Sequence, residues 1–140
     1  MNRFFPKLAL LVLALVCTAA AAQDLSTPKA VQDWYRAWET HDWGLLEHAL
    51  GDGFTFSSPL DDHIDVQHVK DRCWPNTYKI KKFDVEQVVI DGDNVFVIST
   101  AWTTSGKFAR NADYFQLKNG KIQAYECFFG PGINYPNSGK

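Results

Sequence analysis

Residues 83–129 read FDVEQVVIDGDNVFVISTAWTTSGKFARNADYFQLKNGKIQAYECFF, and this stretch decides the fold. Polar residues alternate with β-branched and aromatic ones in four runs: Phe83–Ile90, Val95–Thr104, Lys107–Leu117 and Lys121–Phe129. Between the runs stand Asp91-Gly92 with Asp93-Asn94, Ser105-Gly106 and Asn119-Gly120. Such dipeptides supply the positive-φ positions that a tight hairpin turn requires. The expectation is a four-strand antiparallel meander.

Upstream the period changes to that of a helix. Val31, Trp34, Tyr35 and Trp38 fall on one stripe, with Ser26 or Thr27 as cap and Pro28 in the first turn. Thr40-His41-Asp42 interrupts, and Asp42 caps a second helix with Leu45, Leu46 and Ala49 inward and Gly51 as its stop. Phe54–Ser57 reads as a brief strand ended by Ser58-Pro59, and Asp61-Asp62-His63 as loop. Asp65 caps a third helix to about Trp74, with Val66, Val69 and Cys73 on one face and Pro75-Asn76 ending it. Helices segregated before strands predict an α+β domain, with the helices covering one face of a curved sheet.

The 140 residues are 46% hydrophobic and 21% charged, enough for one core and too few for two. A net charge of -2 gives no electrostatic footprint for a nucleic-acid backbone. Met1–Ala22 reads as a signal peptide: Arg3 and Lys7 precede the apolar run Leu8–Val16, and Ala20-Ala21-Ala22 fits the small-residue cleavage rule. Val16 before Cys17 is too bulky for a lipidation site, so cleavage after Ala22 and a periplasmic or secreted product without stable membrane association are expected. The domain is then 23–130, followed by a loose tail over 131–140 that is rich in Gly, Pro, Asn and Ser. Only Cys73 and Cys127 survive processing, and an oxidising compartment permits either a bridge or two buried thiols. No Gly-rich phosphate loop, Cys-x-x-Cys or nucleophile elbow occurs. Asp61-Asp62-His63 with Asp65 lacks the second ligand cluster that a transition metal needs, so neither metal nor cofactor is expected.

Asp113 shares its strand face with Asn111 and Phe115. A carboxylate there needs a partner or must keep its proton, and pairing to Arg110 or Lys121 at an edge is the alternative. The last strand carries aromatics on both faces, Tyr125 and Phe129 on one and Phe128 on the other. That pattern suits a sheet covered by helices on one side and by a second copy of the chain on the other.

The element order, Trp34 eight residues before Asp42, Phe54-Thr55-Phe56-Ser57-Ser58-Pro59, and the closing Asn119-Gly120-Lys121-Ile122 to Phe129-Gly130 together resemble one superfamily. The chain resembles the SnoaL-like branch of the nuclear transport factor 2-like proteins. This resemblance implies a cone with an apolar pocket between curved sheet and helices. Ketosteroid isomerases share that architecture, and their oxyanion-hole aspartate falls on Asp113. Their general-base aspartate before a proline falls on Ser58, and their helix-one tyrosine on Trp34, so classical ketosteroid isomerisation is not implied. The resemblance points Phe96, Ile98, Thr100, Asn111, Asp113, Tyr125, Cys127 and Phe129 into the pocket, with Trp34, Trp38 and Cys73 from the helices. Phe56, Ser58 and Phe115 complete the candidate ligand contacts. Related cyclases and dehydratases use an Asp or an Asp/His pair, which makes Asp113 with His63 or Asp62 at the rim the candidate acid-base set. His41, His48 and His68 are expected to be structural or solvated. The implied function is binding of a small apolar or polyketide-like ligand, with cofactor-free isomerase, cyclase or lyase chemistry through Asp113. The alternative is a non-enzymatic binding or dimeric interaction module.

Overall fold

The computed structural model describes residues 27–129, so the signal peptide and the tail expected over 131–140 lie outside the described residues. Helix α1 (Lys29–Thr40) begins after Pro28, whose carbonyl accepts from the Val31 and Gln32 N–H groups. The cap position is therefore Pro28 rather than the expected Ser26 or Thr27, and no side chain caps the first turn. α1 ends at His41 in the left-handed region, and Asp42 Oδ1 then accepts the Leu45 N–H at 3.0 Å to cap α2 (Trp43–Ala49). Both helices bury their apolar stripe, Val31, Trp34, Tyr35, Leu46 and Ala49 all being buried.

The strand pattern exceeds the expectation in two places. Gly51, expected as a helix stop, lies inside β1 (Leu50–Ser58), and the expected loop Asp61-Asp62-His63 forms the edge strand β2 (Asp61–Ile64). The third helix is also not one α-helix ended by Pro75. α3 (Val66–His68) passes into a π turn (Val69–Cys73) and a 3₁₀ segment (Trp74–Lys79). Pro75 is accommodated because it falls at the start of the 3₁₀ segment, where a missing N–H breaks no established ladder.

The meander follows as β3 (Ile80–Asp91), β4 (Asn94–Thr103), β5 (Phe108–Lys118) and β6 (Lys121–Phe128). Gly92, Gly106 and Gly120 occupy positive φ at the three turns, as the hairpin dipeptides require. The sheet order is β2-β1-β6-β5-β4-β3, with β1 parallel to β6 and the other neighbours antiparallel. Register shifts at Val85/Gln87 and Gln116/Leu117 place irregularities in β3 and β5–β6, the device that bends a sheet. The result is an α+β fold in which helices pack on the concave face of a curved, unclosed six-strand sheet. Among the described residues no helix is long and apolar enough to cross a membrane.

Antiparallel neighbours directly opposite each other share a face, so register decides which residues point inward. Val95 lies opposite Phe115, Val97 opposite Asp113 and Ser99 opposite Asn111. The concave residues of β4 are thus Val95, Val97, Ser99 and Ala101, all buried. Phe96, Ile98 and Thr100, expected in the pocket, stand on the convex face, where Phe96 is 48% exposed. The physical reason is a one-residue offset, which in a period of two moves a whole set of side chains to the other face.

Candidate functional site

A cavity of about 340 Å³ lies between the concave face and α1. Trp34 and Trp38 of α1, Phe56 of β1, Asn111 of β5, Tyr125 and Cys127 of β6 and Phe129, all among the candidate ligand contacts that the resemblance implies, line it. Ile80, Phe83, Ala101 and Thr103 add to the wall, and Lys107, Phe108 and Ala109 complete the β4–β5 end of it. These seven had no local signal, because they come from strand ends whose place depends on how the sheet curls. Phe115 is fully buried in the core beside Trp34 and Tyr125 rather than on the wall.

Asp113 is 2% exposed and is not among the lining residues. Its Oδ2 accepts the hydroxyl of Tyr35 at 2.6 Å and that of Ser99 at 3.0 Å, and its Oδ1 accepts the hydroxyl of Tyr125 at 2.9 Å. Among the described residues no cation pairs with it: Arg110 binds Glu86 at 2.7 Å, and Lys121 donates to the His48 carbonyl. The carboxylate is instead solvated by three O–H donors from α1, β4 and β6, which satisfies its charge without water. Tyr35 was legible only as a core residue of the α1 stripe, and Ser99 carried no signal. Burial, reinforced by the Asp113 charge, holds the phenols of Tyr35 and Tyr125 and the thiol of Cys127 protonated well beyond their ordinary range. None of the three is a ready base or nucleophile.

The remaining candidates are placed elsewhere. Asp62 and His63 bond to each other at 2.5 Å on β2, with side chains 93% and 69% exposed, and the structure does not bring them to Asp113. Their edge strand projects them to solvent, so the rim acid-base set is not assembled. Ser58 bonds Asp61 at 3.1 Å and borders a separate 170 Å³ hollow with Pro59 and Phe128. Cys73 is half-buried, 4.0 Å from Asp61 Oδ2, and burial raises its thiol pKa. Asp61 itself pairs with Arg72 at 2.9 Å. Cys73 and Cys127 are both free thiols. Thr100 donates to Glu86 at 2.6 Å on the convex face. The indole N–H groups of Trp38, on the cavity wall, and of Trp43 have no acceptor among the described residues, and both rings meet Trp74 edge to face at 5.2 and 5.1 Å. Aromatic faces serve as weak acceptors in such contacts.

A SnoaL-like domain family model matches residues 31–125, which spans α1 through the middle of β6. The chain belongs to the SnoaL-like family. No curated protein matches it. Among solved structures, an NTF2-like protein of unknown function from Cytophaga hutchinsonii superposes with TM-score 0.60 at 22% identity, over 78% of this chain and 95% of that one. A ketosteroid isomerase-like fold protein from Catenulispora acidiphila, in complex with trimethylamine, gives 0.65 at 12% identity over 76% and 88%. An LEH-like epoxide hydrolase from M. tuberculosis gives 0.62 at 17% identity over 74% and 81%. At these identities the likeness is one of fold. A shared fold of this kind does not by itself fix a shared chemistry.

Proposed function

We propose that this SnoaL-like protein is exported and binds a small apolar molecule, of the size of a fused-ring or polyketide-like compound, in the concave cavity. The observation that supports this reading most is the cavity itself, about 340 Å³ walled by Trp34, Trp38, Phe83 and Phe129 with few polar groups. Of the two readings open from sequence, binding is favoured over acid-base chemistry through Asp113. A general acid or oxyanion donor must come within hydrogen-bond reach of the reacting atom. Asp113 instead lies off the wall and accepts three protein hydroxyls.

Filling the cavity tests the reading. Ala109 lines it and is exposed, so Ala109→Trp places an indole in the space without displacing a packed side chain. The variant is expected to keep the wild-type melting temperature and to lose capture of small apolar compounds, measured by quenching of tryptophan emission. Undiminished capture by a folded Ala109→Trp protein would place the ligand elsewhere.

The same proposal includes a second copy of the chain on the convex face. No helix covers that side among the described residues, and Phe96 and Phe128 are 48% and 58% exposed beside a 530 Å³ trough. Glu86 and Arg110 also lie on this face, paired with each other at 2.7 Å. Sedimentation is expected to give a dimer mass for the wild type and a monomer mass for Phe96→Glu. A monomer at all concentrations for the wild type would overturn it.

A further inference from the structure

We infer that the ligand of the concave cavity is an amphipathic anion, with its apolar body among the aromatic rings and its acidic group at the β4–β5 end. This inference rests on the cavity being the ligand site and names the chemical class that the site prefers. Its ground is the charge of the wall. Among the described lining residues Lys107 is the one ionised side chain, with no carboxylate beside it in that set. The chain as a whole carries more acids than bases, so an unaccompanied cation at an apolar mouth runs against its average.

Two other cations of this part of the sheet, Lys82 and Arg110, are neutralised, whereas Lys79 and Lys81 are absent from the lining residues. Lys82 pairs with Asp84 at 2.7 Å and Arg110 with Glu86 at 2.7 Å. Both pairs lie on the convex side. The Lys107 ammonium has no hydrogen-bond or ion partner among the described residues, although its backbone is held in place. The Thr103 N–H and hydroxyl both donate to the Lys107 carbonyl, at 2.8 and 2.9 Å, which fixes where the side chain leaves the turn. Further in, the half-buried Asn111 carboxamide lines the same wall and also has no partner among the described residues. It offers an N–H donor on the route from Lys107 to the rings.

An anion gains from this arrangement because an apolar wall lowers the local dielectric and strengthens attraction to the one charge present. A ligand cation would meet repulsion at the mouth, and the buried Asp113 charge is already occupied by three hydroxyls. A neutral ligand would bind through its body alone.

The test uses three probes of one shape: naphthoate, naphthylmethanol and naphthylmethylammonium, titrated into the mature protein and followed by tryptophan emission and calorimetry. Naphthoate is expected to bind about tenfold more tightly than naphthylmethanol, with the ammonium weakest, and the naphthoate affinity falls as salt rises. Lys107→Gln is expected to abolish the naphthoate preference, weakening naphthoate far more than naphthylmethanol. Equal binding of all three, a preference that survives in Lys107→Gln, or tightest binding of the ammonium overturns the charge assignment while leaving the cavity reading intact. Binding of none at millimolar concentration overturns both.

Discussion

Replacing Asp113 by Ala is expected to destabilise the protein by about 3–5 kcal/mol, read as a fall in the urea midpoint at constant slope. The loss comes from what remains behind. Tyr35, Ser99 and Tyr125 would keep buried hydroxyls with no acceptor, and the low-dielectric site that strengthens their bonds to the carboxylate also makes an orphaned donor costly. Tyr35→Phe and Tyr125→Phe each remove one donor to a charged acceptor and are expected to lose about 1.5–3 kcal/mol. Combined with Asp113→Ala, either should add much less than its own value, because the bond it breaks is already gone. Asp113→Asn keeps one oxygen as acceptor and falls between. An Asp113→Ala protein within about 1 kcal/mol of wild type would mean that the network does not hold α1 against the sheet.

Trp34→Ala is expected to lose about 3–5 kcal/mol, and Trp38→Ala less than half as much. The two residues are one helical turn apart and differ in what surrounds them. Trp34 is 2% exposed and its ring lies 4.2 Å from that of Tyr125, 5.8 Å from Phe115 and 6.1 Å from Phe54. Removing it opens a void in a packed core and forfeits several aromatic pairs. Trp38 is half-buried and borders space that is already open, so its loss enlarges a cavity and breaks two ring contacts, with Trp74 at 5.2 Å and Trp34 at 5.8 Å. Thermal unfolding of the two variants separates the cases. Equal losses would indicate that the cavity is closed by packing in solution.

Much of this architecture is legible because its signals are local. The turn dipeptides ending in Gly92, Gly106 and Gly120 mark three hairpins directly, and the Val31–Trp34–Trp38 stripe with the Asp42 cap marks two helices. What escaped depends on contacts remote in sequence. Pairing of β1 with β6 and the edge strand β2 follow from sheet assembly, not from any residue within them. Alternation along β4 leaves its two faces open, and the resemblance points Phe96, Ile98 and Thr100 inward; the pairing of Val97 with Asp113 puts them on the convex face. Asp113 itself was visible as a carboxylate on an apolar face, whereas its partner Tyr35 lies 78 residues away. Lys107 read as a strand residue, and its isolation as the wall's only charge appears once the sheet curls around the cavity.

The central claim is that the concave cavity holds a small molecule, and native mass spectrometry of the gently purified protein tests it most directly. The account predicts a chain beginning at Gln23 that carries an organic adduct, released on activation, and the loss of that adduct in Ala109→Trp. A bare wild-type chain, or an adduct retained equally by Ala109→Trp, would contradict it.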